Sequence, residues 1–576
     1  MGSIAEPVAP SESPNGEMAV SPSRRVPAAS GKRVTASAWT ALAAAGIGVG
    51  IYLRATQLPI QILIDDEWHA IHKLLQSDAK GILTSFGVAD YSIPLTLYYR
   101  FLYLHGGLGD WGVRLPMLLA GIGLLLVAPW FTRQLLSWPT RAVWVGLMAL
   151  SPLMIYHTRT ARPYAITTLL CFVAIFAFRA WWNGAEPRWR WALLYVAATF
   201  LAGWLHLIAL SFTLAPLLYY GLFALRDSIL AATRAGGPRR LRDIVVLGVC
   251  TALPLALALL PPLLNDAASL AAKTGTDSAT PESIYRTLLI CFGISSPWLL
   301  ALFAALGALG VRSLWRRDRD FVAYASFVVL IGIAAIVASK AAWLQHQLNF
   351  ARYIQPVVPF LLLASAEGVV VALGVVRVDA VRAGLAAVAL GGVYFAGPVP
   401  GYLYAPNQFM TDQYFQFDYD PAHNPYLTVL PHGPIPDFYR QLGQRPPRSL
   451  TLIETPWSLE TNHDPQPLYQ AVHRQYIRIA LTTPECGISD YGNYPETARG
   501  MQLSRFTHLS AVLRGDTAGA DYLVVHLRPW PEAEGPPSGW PVIATCLPLI
   551  EQRLGAPVYR DADIEAFALK AATPAQ

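Results

Sequence analysis

Long apolar runs alternate with short polar segments along most of this chain. A helix needs about 20 apolar residues to cross a bilayer, and several of the runs approach that length. Only helices and closed barrels satisfy their backbone hydrogen bonds in lipid, so these runs predict helices. The runs lie at Val34–Leu53, 113–132, 141–157, 164–182, 191–208, 210–225, 243–264, 297–311, 321–339, 353–375 and 383–398. The pattern predicts an α-helical polytopic membrane protein with about 11 transmembrane helices.

The polar segments divide the chain into three parts. Residues 1–33 have too little apolar content to fold, which predicts a disordered cytoplasmic tail. Residues 34–398 form the transmembrane domain, whose first outer loop is 54–112. Residues 399–576 alternate β-like and helix-like runs, which predicts a small α/β domain. The β-like runs are Ser449–Glu454, Ile477–Thr482, Asp521–His526, Pro557–Arg560 and Ile564–Leu569, and the helix-like runs are Pro436–Leu442, Pro467–Tyr476, Gln502–Leu513 and Ile543–Leu554.

The distribution of arginine predicts the orientation of these spans. If the N-terminus is cytoplasmic, arginines collect in the cytoplasmic loops, as the positive-inside rule requires. These are Arg133, Arg141, Arg188, Arg190, Arg226, Arg234, Arg239, Arg240, Arg242, Arg312, Arg316, Arg317, Arg319, Arg377 and Arg382. An odd number of spans then places residues 399–576 outside. The Ala- and Arg-rich composition favours a bacterial inner membrane, so this C-terminal part is expected to be periplasmic.

Composition excludes several other classes of protein. Of 576 residues, 54% are hydrophobic and 14% charged, whereas soluble proteins carry about 25% charged residues. The net charge of +6 comes from short clusters between the runs, which suits membrane orientation better than nucleic-acid binding. Phosphate-loop and dinucleotide-binding motifs are missing, so nucleotide-driven transport has no support. Cys486 and Cys546 can pair if their part of the chain faces an oxidising compartment.

Three consecutive carboxylates follow the first span, at Asp65, Asp66 and Glu67. A hydroxyl that attacks an electrophile needs a base to accept its proton, and a carboxylate at the membrane face can do this. The alternative is an acidic loop start or helix cap, because Asp is favoured there. We regard these three residues as candidate catalytic groups.

Five cations fall on the same predicted side as the carboxylates. The planar guanidinium of arginine matches a phosphate with paired hydrogen bonds, so these residues are candidates to bind a phosphate. Snorkelling towards lipid headgroups is the alternative for any one of them. The candidates are Arg114, Arg159, Arg162, Arg352 and Lys340.

Histidine and tyrosine side chains complete the predicted surroundings of the substrate. His69 and His72 follow Asp65 at helical spacing, which permits a divalent metal but does not require one. His206 ends the fifth run and is either a packed interfacial residue or close to the substrate. Tyr164 and Tyr353 each lie beside one of the candidate arginines. We expect no required cofactor.

Four ordered segments, spread over roughly residues 34–375, resemble the motifs of a known family. They are Asp66-Glu67; Pro94–Tyr99 followed by Val113–Pro116; Ser151-Pro152 followed by Arg159–Tyr164; and Arg352-Tyr353 followed by Pro356 and Pro359. Together they resemble membrane glycosyltransferases of the GT-C fold. The nearest group contains the protein O-mannosyltransferases and the lipid A aminoarabinose transferases.

The resemblance implies a sugar donor linked to polyprenyl phosphate and inversion at the anomeric carbon. It also implies that Asp66 is the base and Glu67 its acidic partner. Two features depart from the family pattern. Ser92-Ile93-Pro94 stands where many relatives have a His-Pro-Pro-like motif, and Asp65 is an additional carboxylate.

The expected activity is therefore that of a hexosyl- or pentosyltransferase of the cell envelope, acting at the outer face of the membrane. Its partners would be the lipid-linked donor, membrane lipid and an acceptor that is a glycan, a lipid or a protein. Nucleic acid is not expected as a partner. Transfer of a pre-assembled oligosaccharide, a flippase or transporter for a lipid-linked substrate, and a non-catalytic scaffold with an outer partner-binding domain are the alternatives.

Overall fold

The computed structural model describes most of the transmembrane domain and the strands of the C-terminal part. The described residues are 32–56, 58, 67–87, 91–105, 110–184, 187–230, 237–275, 277–400, 435–455, 466–481, 506–517, 519–528 and 540–570. Residues 1–31 of the predicted tail and the carboxylates Asp65 and Asp66 lie outside them. The first helix begins at Lys32, slightly before the predicted start of the first span.

Eighteen α-helices and three short 3-10 helices occupy the described part of residues 32–400, and the α-helices are numbered here. They are α1 (Lys32–Ala55), α2 (Trp68–Gln76), α3 (Ala79–Leu83), α4 (Ile93–His105), α5 (Asp110–Phe131), α6 (Trp138–Leu150), α7 (Pro152–Arg159), α8 (Tyr164–Trp182), α9 (Arg188–Leu205), α10 (Leu210–Thr213), α11 (Ala215–Leu230), α12 (Gly237–Ala271), α13 (Pro281–Phe292), α14 (Pro297–Arg317), α15 (Arg319–Ser339), α16 (Gln347–Tyr353), α17 (Val358–Ala372) and α18 (Asp379–Ala396). This confirms the helical polytopic fold predicted from the apolar runs.

Nine helical segments of the described chain are long and apolar enough to cross a membrane. Two of the predicted runs are not among them. The run 141–157 forms the separate helices α6 and α7, because Ser151 adopts an extended backbone immediately before Pro152. The run 191–208 is helical as α9, but this helix contains Arg188, Arg190 and three tryptophans. The protein is thus a multi-pass integral membrane protein.

Helices α14 and α17 pack closely because glycine lies at their contact. A Cβ atom at Gly310 would lie 1.9 Å from the carbonyl oxygen of Ala364, and one at Gly368 would lie 1.9 Å from that of Leu306. Small residues at such contacts let two backbones approach in a membrane. Any larger side chain at either glycine would force the two helices apart.

The buried carboxylate of Glu367 joins three helices beside this contact. It accepts hydrogen bonds from Thr140 Oγ1 of α6 at 2.7 Å, and from Ser313 Oγ and Arg317 Nη2 of α14 at 2.7 and 2.9 Å. A buried charge is tolerated when hydrogen bonds and an opposite charge compensate for its lost hydration. Glu367 therefore holds α6, α14 and α17 together.

The segment between α1 and α5 packs against both the membrane helices and the C-terminal part. Its helices α2 and α4 share an apolar cluster that includes Ile71 and Tyr99, and this cluster also contains Ile477 of the C-terminal sheet. The Tyr99 hydroxyl donates a hydrogen bond to the Val113 carbonyl of α5 at 2.9 Å. The C-terminal part thus contacts the first outer loop directly.

The described C-terminal residues form a six-stranded sheet with four helices. The elements are α19 (Asp437–Gly443), β1 (Thr451–Thr455), α20 (Gln466–His473), β2 (Tyr476–Leu481), β3 (Phe506–His508), α21 (Leu509–Leu513), β4 (Tyr522–His526), α22 (Trp540–Leu554), β5 (Tyr559–Arg560) and β6 (Ile564–Ala568). The strand order is β3-β2-β1-β4-β6-β5; strands β1 to β4 are mutually parallel, and β6 runs antiparallel to both of its neighbours, β4 and β5. The predicted α/β fold is confirmed, although β3 lies in the run 502–513 that was predicted as helical.

A cluster of buried polar side chains lies at the ends of β1 and β4. The carboxylate of Glu454 contacts His526 Nε2 at 3.0 Å and accepts a hydrogen bond from the Tyr439 hydroxyl at 3.3 Å. Nearby, His473 Nδ1 accepts a hydrogen bond from the Gln475 backbone, and burial lowers the pKa of His473 to about 3. Cys546 of α22 forms a disulfide bond, while Cys486 lies outside the described residues.

Candidate active site

A cavity of about 720 Å³ lies between the first outer loop and the ends of several membrane helices. Much of its lining is apolar, with Leu205, Leu207, Ile208, Leu259, Leu270, Ala335 and Ile336 among the residues that form it. Its polar lining includes His69, Arg162, His206, Lys273, Arg352 and Tyr353. Among the described residues that line it, there are three cations and no carboxylate. The cavity therefore combines an apolar wall with positive charge.

Arg162 and Arg352 meet at the ring of Tyr164. The two guanidinium carbons lie 5.8 and 5.5 Å from the centre of that ring, which is within the range of a cation–π interaction. Arg162 lies in the turn between α7 and α8, and Arg352 lies in the last turn of α16. Residues 190 positions apart in sequence are thus brought to one aromatic ring.

Histidine side chains surround this pair of arginines. Arg162 Nη1 donates to His69 Nδ1 at 3.4 Å, and the Tyr164 ring lies 5.3 Å from that of His206. Arg352 also lies 5.4 Å from the Tyr353 ring centre. The structure therefore gathers six of the predicted residues: Arg162, Arg352, His69, His206, Tyr164 and Tyr353.

Lys273 is the third cation of the cavity and was not predicted. It follows the end of α12, and its carbonyl accepts a hydrogen bond from the Ala342 backbone at 3.0 Å. The Gly275 backbone donates to the Ser339 carbonyl, also at 3.0 Å. These bonds join the segment after α12 to the segment after α15. A single lysine in a polar segment has no motif around it, so the sequence offered no signal for this residue.

Glu67 forms a buried ion pair with Arg114 and is not among the described residues that line the cavity. Its Oε1 and Oε2 accept hydrogen bonds from Arg114 Nε and Nη2, both at 3.0 Å, and each side chain is only 1% exposed. Oε1 also accepts a hydrogen bond from the Ala161 backbone at 2.7 Å. Glu67 thereby fixes the turn that contains Arg162. Its predicted catalytic role stays a prediction, while its contacts give it a positioning role.

Arg159 is also buried, and it caps a helix. Its Nη1 donates to the carbonyls of Leu53, Arg54 and Thr56 at 3.2, 3.1 and 2.7 Å. The last carbonyls of a helix have no partner within the helix, and in a membrane they need one. Arg159 supplies it for α1. Neither Arg114 nor Arg159 is among the described lining residues of the cavity, and a role for either in binding the donor phosphate stays a prediction.

The remaining predicted residues fall into two groups. Lys340 follows α15 and is exposed beside the cavity, but it is not among the described residues that line it. Asp65, Asp66 and the side chain of His72 lie outside the described part of the chain. Within that part, no group of three or more His, Cys, Asp or Glu side chains is arranged to hold a metal ion.

A kink in α12 shapes another wall of the cavity. Asp266 has non-helical backbone angles (φ −146°, ψ 36°). Its Oδ2 accepts hydrogen bonds from Ser85 Oγ, Phe86 N and Gly87 N at 3.0, 2.8 and 2.9 Å. The side chain thus joins the first outer loop to the end of α12. Phe86 and the residues just after Asp266 both line the cavity, so this contact fixes the distance between two of its walls.

Burial and nearby charge shift the pKa of three groups around the cavity. Burial raises the pKa of Tyr91, whose hydroxyl donates to the Ser85 carbonyl, to about 12. Burial lowers the pKa of Lys73, and the Asp266 carboxylate partly opposes this effect. Burial, and then the charge of Arg352, lower the pKa of His346, so this imidazole is neutral at neutral pH.

Neither a family model nor a curated protein sequence matches this chain. Among solved structures, it is similar to ArnT from Cupriavidus metallidurans in the apo state, with 14% identity, coverage of 93% of this chain and 98% of that one, and a TM-score of 0.48. The same enzyme bound to undecaprenyl phosphate gives 17% identity, coverage of 93% and 99%, and a TM-score of 0.46.

A third similar structure is the Archaeoglobus fulgidus oligosaccharyltransferase, with 12% identity, coverage of 84% of this chain and 68% of that one, and a TM-score of 0.40. These solved chains belong to the GT-C group of membrane glycosyltransferases, which the sequence motifs resemble. At such identities and TM-scores, the similarity carries nothing about the reaction or the substrates of this chain.

Proposed function

We propose that this protein is a membrane glycosyltransferase that transfers a sugar from a polyprenyl-phosphate carrier to an acceptor hydroxyl. The observation that carries the proposal is the cavity, in which Arg162, Lys273 and Arg352 line a space that also has an apolar wall. An amphiphile with an anionic head matches both parts of that lining. The motifs that resemble GT-C enzymes supply the same expectation from the sequence.

The two parts of the lining suit the two parts of such a donor. Isoprenoid units are apolar, so their contact with leucine, isoleucine and alanine side chains is favourable. A phosphate accepts charge-assisted hydrogen bonds, for which guanidinium and ammonium groups are strong donors. The cavity volume of about 720 Å³ fits a headgroup and the first part of a chain, since ligand sites typically measure about 300–1,000 Å³.

The proposed reaction is a displacement at the anomeric carbon. The acceptor oxygen forms a bond to that carbon, and the bond from the carbon to the phosphate oxygen breaks. The phosphate leaves with the bonding electron pair, and the hydroxyl proton passes to a carboxylate, for which Asp66 is the sequence-based candidate. Negative charge grows on the departing phosphate, so cations fixed around it stabilise the transition state more than the ground state.

Glu67 would contribute by holding this arrangement in place. It immediately follows Asp66 and contacts both Arg114 and the backbone of Ala161. The candidate base and the turn that contains Arg162 are therefore attached to one buried carboxylate. Because a displacement of about 1 Å can cost a hundredfold in rate, such an attachment favours catalysis.

The proposal is tested with the purified full-length protein in lipid nanodiscs. A panel of radiolabelled polyprenyl-phosphate monosaccharides is supplied with acceptor extract, and sugar transfer is followed for wild type and Asp66→Asn. We expect turnover of at least one donor by wild type and loss of turnover in the variant. Asp78→Asn is the matched control, because it makes the same change at an exposed helix-cap carboxylate of the first outer loop that is not among the described residues lining the cavity. Absence of turnover with every donor, or equal turnover in Asp66→Asn, would contradict the proposal.

A further inference from the structure

The end of α15 and the residues that follow it have an unusual backbone conformation. Residues 339–343, called the rim turn below, include Lys340 with φ +47° and Trp343 with φ +65°. Two of the four non-glycine residues with positive φ in the described chain thus fall within this one turn. Positive φ is disfavoured for a bulky side chain, because the Cβ atom crowds the backbone there. The surrounding contacts must maintain this conformation.

Four hydrogen bonds hold the rim turn in this conformation. The carbonyl of Ser339 accepts from Gly275 N at 3.0 Å, and Ala342 N donates to the Lys273 carbonyl at 3.0 Å. Trp343 N donates to the Asp277 carboxylate. The Ala342 carbonyl accepts from the Tyr353 hydroxyl at 3.1 Å. The rim turn is therefore attached to the same segments that contain Lys273 and Arg352.

The consequence of this backbone is the exposure of Trp343. Trp343 is among the residues that line the cavity, yet it is 62% exposed, whereas the nearby Ala341 and Leu344 are buried. Burying a large aromatic side chain lowers the free energy of the folded state, and a backbone without positive φ lowers it further. The rim turn has neither of these stabilising features, and its Trp343 is exposed at the edge of the cavity. An outlier of this kind points to a functional constraint.

We propose that Trp343 is a stacking platform for the sugar of the lipid-linked donor. The face of an indole is electron-rich, and the C–H groups on one face of a sugar ring carry partial positive charge, so the two faces attract. The sugar is bonded directly to the phosphate that Arg162, Lys273 and Arg352 would hold. A platform on the rim turn, which is hydrogen-bonded to Lys273, lies where that sugar would project. This inference rests on the proposed function.

Anchoring in the lipid headgroup region is the other common use of an exposed tryptophan in a membrane protein. Trp298 provides the comparison. It lies in the first turn of α14, is 83% exposed and is not among the described residues that line the cavity. A substitution at Trp298 therefore reports the effect of losing an exposed indole away from the cavity.

The test measures binding of two ligands to the full-length protein in nanodiscs. The ligands are polyprenyl phosphate and the polyprenyl-phosphate monosaccharide that wild type turns over. The variant is Trp343→Gly, because glycine adopts positive φ without strain and so preserves the rim turn. We expect the affinity for the sugar-bearing lipid to fall by about three- to tenfold, as the loss of one aromatic stacking contact predicts, and the affinity for polyprenyl phosphate to change by less than about twofold.

Two further variants complete the design. Trp343→Phe keeps a smaller aromatic face and should show an intermediate loss, while Trp298→Ala should bind both lipids as wild type does. Unchanged affinity of Trp343→Gly for the sugar-bearing lipid would overturn the inference, and so would an equal loss for both lipids. Failure of wild type to turn over any donor would count against the proposed function itself, so the two failures are distinguishable.

Discussion

Two sets of basic side chains, here called the inner layer and the cavity cations, differ in their surroundings. The inner layer consists of the buried residues Arg54, Arg114 and Arg159, and Arg114 is paired with the buried carboxylate of Glu67. The cavity cations are Arg162, Lys273 and Arg352, which line the cavity. The difference lies in their contacts. Inner-layer arginines donate to main-chain carbonyls and to Glu67, whereas Arg162 and Arg352 lie against aromatic rings.

The inner layer supplies hydrogen-bond donors to the terminal carbonyl groups of membrane helices, which have no partner within their own helix. Arg54 Nη1 and Nη2 donate to the carbonyls of Ala149 and Met148 at 2.9 and 3.0 Å, at the end of α6. Arg159 does the same for the end of α1. Terminal carbonyls carry the negative end of the helix dipole, so a guanidinium there satisfies hydrogen bonds and charge together. This layer therefore stabilises the fold.

The comparison predicts the largest effect for the inner layer. Arg114→Met leaves Glu67 buried without its ion-pair partner, which should destabilise the protein by about 3–5 kcal/mol. We expect little folded protein, measured by size-exclusion chromatography in detergent and by thermal unfolding. The double substitution Glu67→Met and Arg114→Met should recover part of the loss, because neither member of the pair is then left buried without its partner. A stable Arg114→Met protein would show that the pair does not hold this layer together.

The second prediction concerns the cavity cations. Arg352→Ala should lower kcat/KM for the donor about a hundredfold, as expected for the loss of one donor to a developing anion. The folded yield should stay close to that of wild type, in contrast to Arg114→Met. Arg352→Lys keeps the charge without the planar fork and should recover part of the activity. A loss of folded protein in Arg352→Ala would remove the distinction between the layers.

The third prediction addresses the wall of the cavity. Asp266→Ala leaves the backbone N–H groups of Phe86 and Gly87 without the carboxylate that accepts from them, at a cost of about 1–3 kcal/mol. We expect a higher KM for the donor and faster amide exchange in residues 84–87. Asp266→Asn retains an acceptor oxygen and should resemble wild type in both. Equal exchange in all three proteins would show that Asp266 does not hold this wall.

The smallest effect is electrostatic and concerns His346. Its pKa lies below 6.5 in the fold, through burial and through the charge of Arg352. The folded state then binds fewer protons than the unfolded state below pH 6.5, so this group makes stability fall as the pH falls through that range. Arg352→Ala should raise the pKa of His346 and reduce the loss, as measured by NMR titration. An unchanged His346 pKa would contradict the close approach of the two groups.

The apolar runs predicted the membrane helices well, because each helix that crosses the bilayer needs a continuous apolar stretch of its own. The broken run at Ser151-Pro152 is an exception, since the local effect of proline ended one helix and began another. Strand β3 was predicted as part of a helix because it is only three residues long and precedes α21 directly. Such short elements depend on a neighbouring strand, here β2, which the local sequence does not specify.

The candidate site was predicted less completely. Arg114, Arg159 and Arg162 carry the same local signal, because all three follow or begin apolar runs on one predicted side. Their different roles depend on partners far away in sequence, such as Glu67 and the end of α1. Lys273 and the positive φ of Trp343 leave no local pattern at all. Asp65 and Asp66 lie outside the described residues, so their roles remain predictions.

Binding of polyprenyl phosphate to the purified protein tests the central claim most directly. Native mass spectrometry would count bound lipid on wild type, Arg162→Ala, Lys273→Ala, Arg352→Ala and the control Trp298→Ala, all in the same detergent. We predict one tightly bound polyprenyl phosphate on wild type and on Trp298→Ala, and at least tenfold weaker binding on each of the three cavity variants. Equal binding by all five proteins would contradict the assignment of the cavity to the donor phosphate.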